Sequence, residues 1–439
     1  MGLAVVLCLI FITINVFPVP AKPQAAPAAG SWAEDIPAML SAGSYSEGEV
    51  VAGVLSSGSS VSADALLAES KEVIDVVASD AESTPGPAVM NDRIDIVYIQ
   101  RADMTTEEIL YRLAKTPGVV FAEPNYLMDS EAASDEEPAE KPNSEPASDE
   151  EHSYSVRLSD ITDLTAQQWS SWDSSDFIIE GQDGYSIHVP NFDTQTGNMD
   201  GDPVVVAVMD DPIDFTHPDL AQAAYTFTEE QQQILGCDVH GFNATSESVD
   251  GILKYYPDMI HGTHCAGIIA SAWDGHGISG IASNVKLVSI QNLTDDDKTS
   301  LVNALRGFDF IDRANELGCG ISLVSNSWSL MQGSRALDAA IRNLGEKWGV
   351  LCIFASGNES MDHAGIGDDT GTLYDNPYVV SVAAMDSAGK VAPYSNYGHD
   401  FVDVGAPGSG ILSTINTETK HLQYFTSLRQ IRLQIITDS

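Results

Sequence analysis

Apolar positions recur along this chain at two different periods, and the stretches that show neither period mark its divisions. Between residues 47 and 128 the runs are short. Glu49–Leu55, Glu72–Val77 and Arg93–Gln100 read as strands, the last by alternation of apolar and polar positions, and Val119–Ala122 reads as a fourth. Val61–Ser70 and Thr105–Lys115 have helical spacing, and the Thr–Thr–Glu–Glu start of the second is a capping signal. The order β-α-β-β-α-β predicts a small α+β unit with ferredoxin-like connectivity.

Farther on the strands become nearly continuous apolar runs. Pro203–Asp210, Val285–Gln291, Ile321–Asn326, Val350–Ala355 and Tyr378–Ala384 alternate with helical patterns at Ser300–Leu317 and Arg335–Trp348. Strands that are apolar throughout are buried on both faces, as in a parallel sheet covered by helices. The expectation is a three-layer α/β domain with a mainly parallel sheet.

The segments without period are equally informative. Leu3–Phe17 is an apolar run that meets Pro18, Val19, Pro20 and Ala21, too short for a comfortable membrane span. It reads as a secretory signal cleaved after Ala21, an uncleaved anchor being the alternative. Residues 22–46, rich in Ala, Pro, Gly and Ser, read as a flexible leader. From Asp129 to His152 ten acids face a single Lys, with three prolines, so residues 129–158 read as a solvated acidic linker. A docking tail for calcium or protein is the other reading of that run. The expected organisation is signal peptide 1–21, leader 22–46, small α+β domain 47–128, linker 129–158 and α/β domain 159–439.

Charge narrows the function. Sixty-four acids against 20 bases give a formal charge of −44, which repels nucleic acid and anionic membranes. Beyond Cys8 in the signal, the cysteines are Cys237, Cys265, Cys319 and Cys352, too few for a disulfide framework, although one or two bridges would be tolerated outside the cell. Asn243–Ala–Thr245 and Asn292–Leu–Thr294 are sequons.

The candidate chemistry centres on His261–Gly–Thr–His–Cys–Ala–Gly267, an imidazole at the mouth of a helix whose small residues let it pack deep. A pair of helix-cap histidines and a metal site of His261, His264 and Cys265 are the competing readings. The strand Pro203–Asp210 delivers a carboxylate at its C-terminal edge, where α/β sheets place their chemistry.

Five segments, in order, resemble the motifs of subtilisin-like (peptidase S8) serine proteases. They are Val208–Met–Asp210 with Ile213–Asp214 and His217–Pro–Asp–Leu220, then His261–Gly267, then Ser325–Asn–Ser–Trp328, then Ala355–Ser–Gly–Asn358. Tyr394–Ser–Asn–Tyr–Gly398 with Ala406–Pro–Gly408 is the fifth. Thr116–Tyr126 similarly resembles the end of the inhibitory prodomain that many such proteases carry.

The resemblance implies a subtilisin-like fold, Asp210 and His261 as orienting acid and base, and Asn358 as oxyanion donor. Ser325, Asn326, Ser327, Trp328, Ser329 and Gly357 would bind substrate, an extended peptide pairing beside Ser325–Ser329. No cofactor is implied for catalysis. Structural calcium is implied at Asp219 and in the 272–278 loop through Asp274, with Gln167 or Gln168 completing it. The expected partners are a polypeptide substrate and the chain's own prodomain, in a secreted monomer.

The sequence departs from the family in two places. Asp210 is followed by Asp211–Pro212 where Ser or Thr and then Gly are usual. The Gly–Thr–Ser–Met–Ala–x–Pro nucleophile motif is replaced by Tyr424–Phe–Thr–Ser–Leu–Arg429. Ser427 stands twenty residues after Pro407, close to the family spacing, and is the candidate nucleophile; Leu428, Ile431 and Ile435 could line a short helix that it caps. The α/β domain is expected to be incomplete at its C-terminal side. Two functions are compatible with this pattern: a secreted endopeptidase made as a zymogen, or an inactive relative that binds peptide or prodomain without cutting.

Overall fold

The computed structural model describes residues 31–55, 72–74, 94–129, 155–157, 202–245, 250–256, 259–294, 298–328, 333–363, 376–386, 388–399, 401–416 and 422–426. Ser329, Gln167, Gln168, Ser427 and the helix expected after it lie outside the described residues, as do Val61–Ser70 and most of the acidic run.

The first element is a helix where a flexible leader is expected. A 3-10 turn at Ser31–Asp35 runs into α1 (Ile36–Ala42). Trp32, Ile36, Met39 and Leu40 fall on one helical face, and Trp32 and Ile36 are buried in the small domain's core. Burying these side chains overrides the Ala- and Pro-rich composition around them.

Then come β1 (Tyr45–Leu55), β2 (Glu72–Ile74), β3 (Ile94–Gln100), α2 (Thr106–Leu113) and β4 (Val119–Asp129). Thr105 and Glu108 close the capping box at the start of α2 as its sequence predicts. The sheet is antiparallel, in the order β2-β3-β1-β4.

Alternation sends Val50, Ala52, Val97 and Ile99 to the face under α1 and α2, and Val51, Ile96 and Tyr98 to the other. Both faces are apolar. The second packs into the core of the α/β domain, which is why the strands carry so few outward polar residues.

In the α/β domain, β6 (Val204–Asp210) comes after β5 (Ser155–Arg157), a strand in the last part of the expected linker. Next are α3 (Glu229–Leu235), β7 (Gly241–Asn243), α4 (His261–Ala270), β8 (Val285–Gln291) and β9 (Lys298–Ser300). After α5 (Leu301–Glu316), β10 (Ile321–Asn326), α6 (Arg335–Trp348), β11 (Leu351–Ala355) and β12 (Val379–Met385), the last strands are β13 (Val404–Pro407), β14 (Leu412–Thr414) and β15 (Leu422–Thr426).

Seven strands form one parallel sheet in the order β13-β12-β11-β10-β6-β8-β7. Val205, Ala207 and Met209 of β6 face α5 and α6, while Val206 and Val208 face α4. This is the three-layer α/β arrangement expected from the apolar runs. A separate antiparallel sheet, β14-β15-β5, lies beside α4.

The small domain is docked through the helices of the large one. Its β4 extends antiparallel along β9, with Leu127 opposite Ser300 and Asp129 opposite Lys298. Glu123, buried, accepts hydrogen bonds from Ser334 Oγ at 2.8 Å and from the Ala336 and Arg335 amides at 2.9 and 3.3 Å, at the start of α6. Asn125 Oδ1 accepts from the Val302 amide at 3.1 Å, at the start of α5.

The first amides of a helix have no partner within it, so β4 caps two helices of the other domain at once. Burial pushes the Glu123 carboxyl above its ordinary value, and the α6 donors offset part of that shift. Glu123→Ala is expected to cost about 1–2 kcal/mol of unfolding free energy. Urea denaturation of the full chain checks this, an unchanged midpoint meaning that the cap contributes nothing.

Candidate active site

Adjacent strands β11, β10 and β6 end together at the C-terminal edge of the parallel sheet, so the residues after each are delivered to one place. Asp210, the last residue of β6, is fully buried. Its Oδ1 accepts from the Asp211 amide at 2.7 Å. Both of its oxygens approach Nδ1 of His261, at 2.8 and 3.0 Å.

His261 opens α4 and is itself buried. Nδ1 therefore carries the proton donated to Asp210, which leaves Nε2 as the basic nitrogen. Burial opposes a charge on this ring, but the Asp210 carboxylate outweighs it, and the imidazole pKa is raised well above its ordinary value of 6.5.

The second carboxylate takes a different job from the one its position suggests. Asp211 Oδ2 accepts from the His261 main-chain amide at 3.3 Å, so it serves the N-terminus of α4, where a negative charge is favoured. Gly262 lies against the Asp211 carbonyl so closely that an added Cβ would collide with it. Past Pro212, the amides of Ile213 and Asp214 are taken up by Ser289 Oγ and Thr263 Oγ1 at 3.0 and 2.9 Å. The segment is pinned despite the proline's missing donor.

Beneath this pair sits Cys265, its Sγ 3.9 Å from Asp210 Oδ2, 4.0 Å from His261 Nδ1 and 3.5 Å from Ser327 Oγ. Ligand atoms of Asp210, His261 and Cys265 lie within 4.8 Å of one another. The metal set considered from spacing fails at His264, whose Nε2 turns instead to the Ile411 carbonyl at 3.2 Å. Cys237, Cys265, Cys319 and Cys352 are all buried, and none of them is in a disulfide.

Two residues of the substrate segment need correction. Ser325 and Asn326 lie inside the sheet, their main chains paired with β6 and β11, and cannot take up an extended peptide as well. Trp328 is fully buried; its Nε1 donates to the Met209 carbonyl at 3.1 Å and its ring meets Phe354 edge-on. Ser327 and Trp328 are the described residues beyond the sheet edge.

Strand β9 pairs with the extended chain of β4, an element missed in the sequence because three residues, Lys298–Ser300, give no readable period. Asn358 is buried on the loop after β11, with Gly357 before it in the left-handed region at φ 95°.

Asp219 and Asp274 are engaged by the loop they were expected to share with calcium. Asp219 is buried, its Oδ2 accepting from the Ile278 amide at 3.2 Å and its carbonyl from Ala272 at 2.9 Å. Asp274 is exposed and accepts from the His276 amide at 2.9 Å. Among the described residues, neither joins a third His, Cys, Asp or Glu in a convergent group.

The peptidase S8 model, that of the subtilase family, matches residues 201–430. The chain belongs to the subtilase family. It is 30% identical over 312 residues to the alkaline serine protease ver112 of Corniculantispora psalliotae, a match covering 70% of this chain and 69% of that one. Subtilisin-like protease 2 of Plasmodium falciparum is 28% identical over 237 residues, covering 51% of this chain but 16% of its own.

Fervidolysin of Fervidobacterium pennivorans is 32% identical over 230 residues, covering 50% and 29%. The crystal structure of fervidolysin, described as a keratinolytic enzyme related to subtilisin, superposes with a TM-score of 0.54 at 20% identity. That match covers 87% of this chain and 52% of fervidolysin, and shows that the two share a fold. By sequence, this subtilase matches about two thirds of the first of these three relatives and under a third of the others.

The Asp210–His261 contact predicts a titration. Followed by NMR, the His261 ring should have its midpoint above 6.5 in the wild type. In Asp210→Asn, burial acts without the opposing carboxylate, so the midpoint should fall. An unmoved midpoint would mean that Asp210 does not set the charge on the ring.

Proposed function

We propose that this subtilase is a serine endopeptidase made as a zymogen, with Asp210, His261 and Ser427 as its triad and Asn358 as oxyanion donor. The buried contact of Asp210 with His261 Nδ1 carries this reading, because it fixes one tautomer and leaves Nε2 to act as a base. Support for Ser427 comes from its neighbours. Thr426, which precedes it, pairs with Leu412, and the Ile411 carbonyl contacts His264, one helical turn from His261.

Ser427 Oγ attacks the scissile carbonyl carbon as its proton passes to Nε2 of His261. The same proton then goes to the leaving amine as the C–N bond breaks, and water repeats the sequence on the acyl-enzyme. Asn358 donates to the oxyanion of each tetrahedral intermediate, a contribution of about 10²–10³ in rate in systems of this kind. The pairing of Leu127–Asp129 with β9 supports an inhibitory role for the small domain, since an extended segment of it is held along a short strand of the α/β domain.

Secretion is the reading of the apolar run at the N-terminus. No described helix is long and apolar enough to cross a membrane.

A fluorophosphonate probe tests the reading directly. Wild-type protein is expected to gain one adduct, mapped to Ser427 by peptide mass, and Ser427→Ala and His261→Ala none. The wild type should also release its small domain by cleavage within or near residues 129–158, whereas Ser427→Ala stays full length. A wild type that neither labels nor cleaves itself is the inactive, peptide-binding relative.

Calcium is a separate question: with Asp219 and Asp274 already bonded to the loop, EDTA is expected to leave the melting temperature unchanged. A drop of several degrees that added calcium restores would assign an ion to that loop.

A further inference from the structure

Asn358 can serve as a donor only if the loop beneath it is rigid, and the loop has no secondary structure of its own. Residues 356–361 are held instead by the segment 393–397, and one side chain makes four of the connections. Asn396 is fully buried. Its Nδ2 donates to the Ser356 carbonyl at 3.0 Å and to Glu359 Oε2 at 2.6 Å, and its Oδ1 accepts from the amides of Glu359 and Met361 at 3.0 and 2.9 Å. Two donors and two acceptor positions are all that a carboxamide has, and all four are filled by one loop.

The main chain adds to this. The Asn396 amide donates to the Gly357 carbonyl at 2.8 Å. The carboxylate oxygen that Asn396 holds also accepts from the Asn358 amide at 2.8 Å. The peptide unit between Gly357 and Asn358 is thus gripped at its oxygen and at its nitrogen. Gly357 is tied into the same grip, for a Cβ there would collide with Asn396 Nδ2.

We infer that Asn396 is a positioning residue for the oxyanion donor: acting through Glu359 and the Gly357–Asn358 peptide, it fixes the direction of the Asn358 side chain. The inference rests on the protease reading above. A preorganised donor stabilises charge only where it is already aimed, so a loosened loop lowers kcat and leaves substrate binding alone. The Tyr394–Gly398 motif thereby acquires a role that its position in the sequence does not reveal.

The test is Asn396→Asp in the full chain. It keeps the shape but replaces the Nδ2 donor with an oxygen facing Glu359 Oε2 and the Ser356 carbonyl. Rates on a peptide ester are expressed per active site titrated with the fluorophosphonate, and melting temperature is recorded alongside. The expected result is a fall in kcat of about 10–100-fold with KM within about twofold, the size of effect that a small misplacement gives.

The double variant N396D/E359Q returns a donor to the pair and should recover part of the loss, since the Asn358 amide then loses the Glu359 oxygen that accepts from it. Asn396→Ser, milder in charge, should fall between and serves if Asn396→Asp does not fold. A purely structural role would lower the melting temperature and the titrated fraction while leaving kcat per titrated site unchanged, and that result overturns the inference alone. A wild type that does not react with the probe overturns the protease reading, and the inference with it.

Discussion

A carboxylate taken wholly out of water must find a donor for its charge, and Asp210 finds the Asp211 amide and the His261 ring. Much of the domain is arranged so that this meeting can occur. Strand β6 runs inside the seven-stranded sheet between β10 and β8, so its end cannot drift; α4 is rich in Gly and Ala and can lie close against it. Asp211, the residue most at odds with the family pattern, is directed to the first amide of α4 and helps to set that helix's start. Ser413 and Thr414 of β14 then donate to the His264 and Thr263 carbonyls and hold the other side of the helix.

The small domain is built on a different logic. A sheet with two apolar faces cannot stand in water alone, and here α1 and α2 cover one face while the core around α5 and α6 covers the other. The polar contacts at this boundary, Glu123 and Asn125, answer amides that the helices of the large domain would otherwise turn toward solvent. Each domain completes something that the other leaves open.

How far the sequence could be read depended on whether a residue's partner was near it or was announced by a pattern. The parallel sheet was legible because strands buried on both faces have nowhere to put polar residues, and Val204–Asp210 shows this plainly. His261 and Asp210 were legible as candidates because one opens a run of small residues and the other ends a continuous apolar strand. Glu123 was not, because its partners at Ser334 and Ala336 lie more than two hundred residues away and an acid in a strand reads as an exposed one. Trp328 was named for the substrate by its neighbours, and the sequence did not show that its side chain turns to the core beside Met209 and Phe354. Asn396 sat within a recognised motif, but its work is done entirely through a loop some forty residues earlier. The helix at Ile36–Ala42 was hidden by composition, because two buried side chains, Trp32 and Ile36, decide the outcome against many small ones.

The pairing of β4 with β9 joins Leu127 to Ser300 across about 170 residues of chain. Ribosomes add roughly 5–20 residues each second, so Ser300 is made about ten to thirty seconds after Leu127. For that interval the apolar face of the small domain has no large domain to cover it. Whatever shields that face meanwhile, whether a chaperone or the part of the chain already made, acts on the ribosome and before the site exists.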